Sequence, residues 1–187
     1  LHHIGIWYTA VTGIWQTVWL EQVDSAHFTS VHFIPSLDSV EVFVQTSESG
    51  SVCMEVLEED SCITAHTFTA GGSQTVSFEA PRLWTPEQPF LYRVRLSLLR
   101  AGRETDRVES YFGLRTFAVQ PDENGTPYFL LNGRPYFQKG LLDQGYWPDG
   151  LYTAPSDEAL RRDIEQAKAL GFNMLRKHIK VEPARWY

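Results

Sequence analysis

Positive charge is scarce in this 187-residue chain: 16 lysines and arginines stand against 23 aspartates and glutamates, a formal charge of −7. Nucleic-acid recognition leans on basic patches, so no nucleic-acid partner is expected. Long apolar runs are missing too. None approaches the roughly 18 residues of a membrane-spanning helix, and no membrane partner is expected. Cysteine is limited to Cys53 and Cys62. A hairpin turning near Glu58–Asp60 would set Cys53 opposite a residue near Ala65, out of register with Cys62, so free thiols are favoured over a disulfide. No cluster has metal-ligand spacing, no glycine-rich loop would hold phosphate, and no Ser/His/Asp set suggests a hydrolytic triad. Neither a metal nor a cofactor is therefore expected. The chain opens on Leu1 without a charged-then-apolar leader, which by itself assigns no compartment. His2 and His3 read as an appended remnant and not as a metal site.

What is present suits a folded core: 43% of residues are hydrophobic and 13% aromatic. The length corresponds to one or two domains. Near the start, Gly13 to Glu21 reads GIWQTVWLE, with apolar groups at both alternating sets of positions. That pattern predicts a strand buried on both sides, or shared between two domains, with residues 1–22 the last strand of a preceding domain.

From residue 23 to 118 the pattern is all-β. Candidate strands are His27–Ile34, Val40–Thr46, Ser51–Leu57, Ile63–Phe68, Gln74–Phe78, Tyr92–Leu99 and Val108–Thr116, with clear alternation such as Val40, Val42 and Val44. Turn residues at Ser49-Gly50, Gly71-Gly72 and Ala101-Gly102 separate them. Seven short strands in this span predict an immunoglobulin-like sandwich, without the Cys…Trp…Cys signature of antibody domains.

Residues 119–187 change character. Asn132-Gly133 predicts a hairpin between Tyr128–Leu131 and Pro135–Gly140, whose second arm runs on into Leu141 and Leu142. Ser156 is a good N-cap, with Asp157 and Glu158 favourable in the first turn. Leu160, Ile164, Ala167 and Leu170 form one helical stripe, and Gly171 is the stop. Phe172–Arg176 then predicts a second, parallel strand. The expectation is a mostly β chain: a sandwich followed by the first β-α-β of a truncated (β/α)₈ barrel, whose active sites lie at the strands' C-terminal ends.

Four motifs, in order, resemble the glycoside hydrolase family 2 enzymes, the group of β-galactosidases, β-glucuronidases and β-mannosidases. They are GIWQTVWLE; LWTPEQPFLYRVRL from Leu83; SYFGLRTF from Ser110 followed by LNGRPYFQKG from Leu131; and GFNMLRKH from Gly171. The resemblance implies that residues 1–22 close an N-terminal jelly roll, that 23–118 are the family's sandwich domain, and that 119–187 lead into its catalytic barrel. It implies a retaining β-glycosidase, β-galactosidase-like, acting on a carbohydrate substrate through two glutamates with carboxyls about 5–5.5 Å apart. In the family those glutamates come from the fourth and seventh barrel strands, so no catalytic residue is expected in this chain, and this polypeptide alone is expected to be inactive. A periplasmic or secreted parent stays open. β-Glucuronidase, β-mannosidase and a non-catalytic carbohydrate- or protein-binding sandwich remain alternatives.

The resemblance also implies site-supporting residues. Arg176 matches the arginine that sits beside the nucleophile, where a cation favours the ionised carboxylate. His178 corresponds to a sugar-contacting histidine, one residue closer to the arginine than in many members; a surface-loop histidine is the alternative. Asp143 and Gln144 stand where many β-galactosidases carry Asn-x-His, and Gln144 retains hydroxyl-binding capacity. Trp147, beside Tyr146, either stacks on a sugar or packs within its loop. Lys177 and Lys180 read as solvated cations, Glu182 as a poor candidate acid ahead of a helix starting at Pro183, and the tryptophans at 7, 15, 19 and 84 as core. Exposed barrel strands could also pair two copies into a homo-oligomer.

Overall fold

The structure, a computed structural model, describes residues 9–187; His2, His3 and Trp7 lie outside the described residues. The chain divides into two units, Glu21–Tyr136 and the combination of residues 1–20 with Phe137–Tyr187.

In the first unit, seven strands make two antiparallel sheets. They are β1 (Phe28–Pro35), β2 (Ser39–Thr46), β3 (Ser51–Glu58), β4 (Ser61–Thr69), β5 (Ser73–Ser77), β6 (Tyr92–Arg100) and β7 (Arg103–Phe112). One sheet has the order β1-β2-β5 and the other β4-β3-β6-β7. Alternation puts Val40, Val42 and Val44 of the first sheet in one core with Val52, Met54, Val56, Val94, Leu96 and Leu98 of the second. Tyr92 is buried among Phe78, Phe90 and Phe112, with its hydroxyl accepting from the Arg82 amide at 2.9 Å. The sandwich expected from the sequence is therefore present.

Some boundaries differ. β7 starts at Arg103 rather than Val108, because Ala101 and Gly102 both take positive φ (49° and 76°) and pair Arg100 directly with Arg103. Turns of that kind match strand twist and extend pairing to the tip. Cys53 faces Thr67, two residues from Ala65, and Cys62 pairs with Leu57, so the cysteines are out of register as expected. Both thiols are free.

A small antiparallel sheet follows, from β8 (Phe117–Pro121), β9 (Pro127–Leu131) and β10 (Arg134–Pro135). Asn132 and Gly133 take φ of 52° and 73°, as an Asn-Gly hairpin requires. The Asn132 side chain accepts from the Thr116 amide at 3.0 Å and donates to the Trp84 carbonyl at 3.1 Å. This hairpin belongs with the sandwich unit, whereas the sequence reading grouped it with the C-terminal segment.

The second unit contains β11 (Gly140–Asp143), α1 (Asp157–Ala169), β12 (Met174–Lys177) and a 3₁₀ turn, Ala184–Trp186. β11 and β12 pair in parallel. Asn173 joins their starts: its side chain accepts from the Lys139 amide at 2.8 Å and donates to the Phe137 carbonyl at 3.0 Å. Ser156 caps α1 by accepting from the Ala159 amide, and Gly171, at φ 87°, ends it. Leu160 and Ala167 are buried, but Leu170 is 75% exposed, because it is the cap residue and has left the helical stripe.

Three expectations fail here. Gly13–Glu21 forms no strand, and Ile14, Val18, Trp19 and Leu20 are exposed. An extended segment becomes a strand only inside a ladder, and the segment belongs to none of the sheets formed by the described residues. Trp19 is accordingly not core. After Pro183 there is one 3₁₀ turn rather than a helix.

Candidate functional site

β11 and β12 are only four residues long, and their C-terminal ends carry the candidate site residues. The register sets Leu142 opposite Arg176 and Asp143 opposite Lys177. Successive strand residues point to opposite faces, so Arg176 and Lys177 are separated although adjacent in sequence. Arg176 shares with Leu142, itself 56% exposed, the open face of the pair.

The other face carries an ion network. Lys177 Nζ lies 2.7 Å from Asp143 Oδ2 and 2.6 Å from Glu182 Oε1. Lys180 Nζ donates to the Gly145 carbonyl at 2.6 Å and lies 3.1 Å from the same Glu182 oxygen. That oxygen is buried with no hydrogen-bond partner, so the attraction there is chiefly charge on charge. The side chains of Lys180 and Glu182 are each 1% exposed. Two ammoniums and two carboxylates leave the cluster neutral, as burial of charge demands. Aromatic faces surround it. Trp186 lies 4.7 Å from Lys177 Nζ, and Tyr152 and Trp15 lie 4.9 and 5.3 Å from Lys180 Nζ.

The expectation that Lys177 and Lys180 are solvated is thus overturned. The overlooked signal is the alternation in Ile179-Lys180-Val181-Glu182, where the charges point in and the apolar residues point out. Pattern reading assigns the apolar set to the interior by default, so the inversion was not legible. Burial pulls the Lys177 pKa down, but the hydrogen bond to Asp143 and the charges of Asp143 and Glu182 outweigh it and raise it above the ordinary lysine value. Desolvation first, then the Asp143 charge, raises the carboxyl of Asp163 on α1, against the opposing pull of Lys177 and Arg162.

Gly145 sits against this network at φ 64°, where an added Cβ would stand 2.8 Å from Lys177 Nζ and 3.1 Å from Lys180 Cδ. Only glycine combines that backbone with that proximity.

The expected site residues fall around the network in different states. Both Asp143 oxygens are occupied, Oδ1 by the Gly145 amide at 2.9 Å and Oδ2 by Lys177. Gln144 is exposed between them. His178 donates its amide to the Asp143 carbonyl at 2.8 Å, and its side chain is half-buried. Trp147 is bonded through its backbone to Leu151, and its buried Nε1 has no partner. A cavity of about 340 Å³ lies between α1 and the 3₁₀ turn, lined by residues including Asp157, Arg161 and Trp186. It includes none of the five expected site residues. Among the described residues, no group of three His, Cys, Asp or Glu side chains is placed to hold a metal.

Comparison with known proteins points one way. Residues 26–115 match the family Glycosyl hydrolases family 2. The chain is 26% identical to a β-galactosidase of Thermoanaerobacter pseudethanolicus, over 90% of this chain and 24% of that protein. A family 2 glycosyl hydrolase from Bacteroides cellulosilyticus matches with a TM-score of 0.69 at 25% identity, over 88% of this chain and 25% of that one. The fold also matches a β-glucuronidase of Bacteroides uniformis, with a TM-score of 0.73 at 22% identity, over 87% of this chain and 21% of the other. The chain thus spans about a quarter of the length of these relatives. It is similar to the glycosyl hydrolases family 2, and the family match itself covers residues 26–115.

Proposed function

We propose that this chain is the sandwich and the opening β-α-β unit of a retaining β-glycosidase, β-galactosidase-like, whose catalytic barrel continues from β11 and β12. The observation that carries the reading is Arg176. It stands on the open face at the C-terminal end of a parallel pair, where such barrels build active sites. From there its guanidinium would hold the nucleophilic carboxylate ionised. Gln144 and His178 would offer hydrogen bonds to sugar hydroxyls, Trp147 an aromatic face, and Asp143 would hold the loop that carries Gln144.

The chemistry itself would need two carboxylates, one attacking the anomeric carbon and one protonating the leaving oxygen and later activating water. In the family these stand on later strands. Glu182, the buried carboxylate nearest the proposed site, is engaged by two lysines and is not available for either role. No cofactor enters this mechanism. The partner is a carbohydrate substrate, and β11–β12 edges could also join two copies. β-Glucuronidase is the second reading, favoured by the likeness to relatives of that name.

Two measurements test the reading. The isolated chain should show only background rates against nitrophenyl β-galactoside, β-glucuronide and β-mannoside; robust turnover by clean protein would refute the placement of the catalytic pair outside it. In the full-length protein, Arg176→Ala should cut kcat on the order of 100-fold, the scale of losing one charge-stabilising group. Unchanged kinetics would remove Arg176 from the site.

A further inference from the structure

The segment after β12 is built inside out. Lys180 and Glu182 are 3% and 4% exposed, while Ile179 and Val181, which alternate with them, are 73% and 68% exposed. Ile179 also has φ 67°, a left-handed conformation that β-branched residues seldom adopt. A strained residue persists only where its surroundings over-determine it. Here the surroundings are the ion network, which draws Lys180 inward one residue later.

We propose that Lys177, Lys180 and Glu182 are positioning residues, which tie the loop after β11 to the loop after β12 and thereby fix where Gln144 and His178 stand. The role assigned to those two residues rests on the glycosidase reading; the clamp itself does not.

The connections bracket both residues. Asp143, before Gln144, is held by Lys177; Gly145, after it, donates to Asp143 Oδ1 and accepts from Lys180 Nζ. His178 donates its amide to the Asp143 carbonyl, and its own carbonyl accepts from the Lys180 amide at 2.7 Å. Glu182 Oε1 closes the circuit by meeting both lysines. Gln144 is left exposed on a backbone pinned at either side. The aromatic faces of Trp15, Tyr152 and Trp186 keep water from the ammoniums, so the charges cannot separate without stranding a partner in a dry site. Such rigidity matters because displacing a substrate-positioning group by about 1 Å can cost on the order of 100-fold in rate. Arg176, on the opposite face, is outside the network.

The decisive variant is Glu182→Gln in the full-length protein carrying this segment, since it keeps the shape and removes the charge. Glu182→Asp serves as the conservative control. The amides of Gly145 and His178 should exchange with solvent at least about tenfold faster in Glu182→Gln, with Val94–Leu98 unaffected. KM for the nitrophenyl β-glycoside that the wild type hydrolyses should rise about tenfold, with kcat changed far less, the signature of lost uniform binding. Glu182→Asp should restore part of both effects. Arg176→Ala should lower kcat and leave the Gly145 and His178 exchange rates as they were. If Glu182→Gln does not fold, Lys180→Met, which keeps the aliphatic stem, is read by the same measurements. Unchanged exchange in the folded variant overturns the clamp. Faster exchange with an unchanged KM reduces it to a stabilising feature and overturns the positioning role. A wild type with no glycosidase activity would defeat the functional reading alone, and the exchange rates would still decide the clamp.

Discussion

At Lys177, burial and pairing act in opposite directions, and pairing wins. Its side chain is 11% exposed, between Asp143 and Glu182, and its pKa is raised. A cation with a raised folded-state pKa stabilises fully below its unfolded value, near 10.4, and that contribution fades as pH climbs through the raised value. Lys177→Met should therefore lower the urea midpoint of the second unit at pH 8, since it breaks a buried pair. The gap to wild type should narrow above the ordinary lysine pKa, as the native lysine loses its own charge. Urea unfolding followed by tryptophan fluorescence reports on that unit, because Trp84 is the only tryptophan in Glu21–Tyr136. A gap that widens with alkaline pH would contradict this account. At the same scale, the sequence marked Arg176, Gln144 and His178 but could not say which residues on β12 face which way, since that depends on the register with β11.

Among the elements, the Asn-Gly hairpin between β9 and β10 was legible because Asn and Gly tolerate the positive φ that such a turn needs. The reach of Asn132 back to Thr116 and Trp84 was not, since those partners lie 16 and 48 residues away. Asn132→Ala should cost about 1–3 kcal/mol in urea unfolding, for a donor and an acceptor left without their partner. Asn132→Gly should recover the part due to backbone strain but not the part due to the bonds. Equal stability of the alanine variant and wild type would show that both bonds are replaced by water. The strand expected at Gly13–Glu21 teaches the complementary point: alternation describes a side-chain pattern, while a strand also needs a neighbour.

Across the whole molecule, apolar cover is uneven. Val40, Val42, Val52, Met54, Leu96 and Leu98 are fully buried in the sandwich, whereas Phe137, Leu142, Leu170, Ile179 and Val181 of the second unit are more than half exposed. Parallel strands are normally covered on both faces, and each large apolar side chain left in water forgoes about 1.5–3 kcal/mol. Hydrogen exchange on the isolated chain should therefore be slow in Val40–Val44 and Val94–Leu98, and fast in Leu160–Leu175 or protected there only at high concentration. Equal, concentration-independent protection would show the second unit to be self-sufficient, and the reading of it as the opening of a barrel would fail.

The sequence by itself determined the seven-strand sandwich, the hairpin, the capped helix and the likeness to family 2 glycosyl hydrolases, because each depends on local periodicity, turn chemistry or motif order. Only the tertiary structure decided the register of β11 against β12, the opposite facings of Arg176 and Lys177, and the burial of Lys180 and Glu182. Those depend on which distant groups meet. A lysine is solvated or buried according to whether carboxylates and aromatic faces are brought to it, and Asp143, Gly145, Tyr152 and Trp15 reach Lys177 and Lys180 from distant parts of the chain.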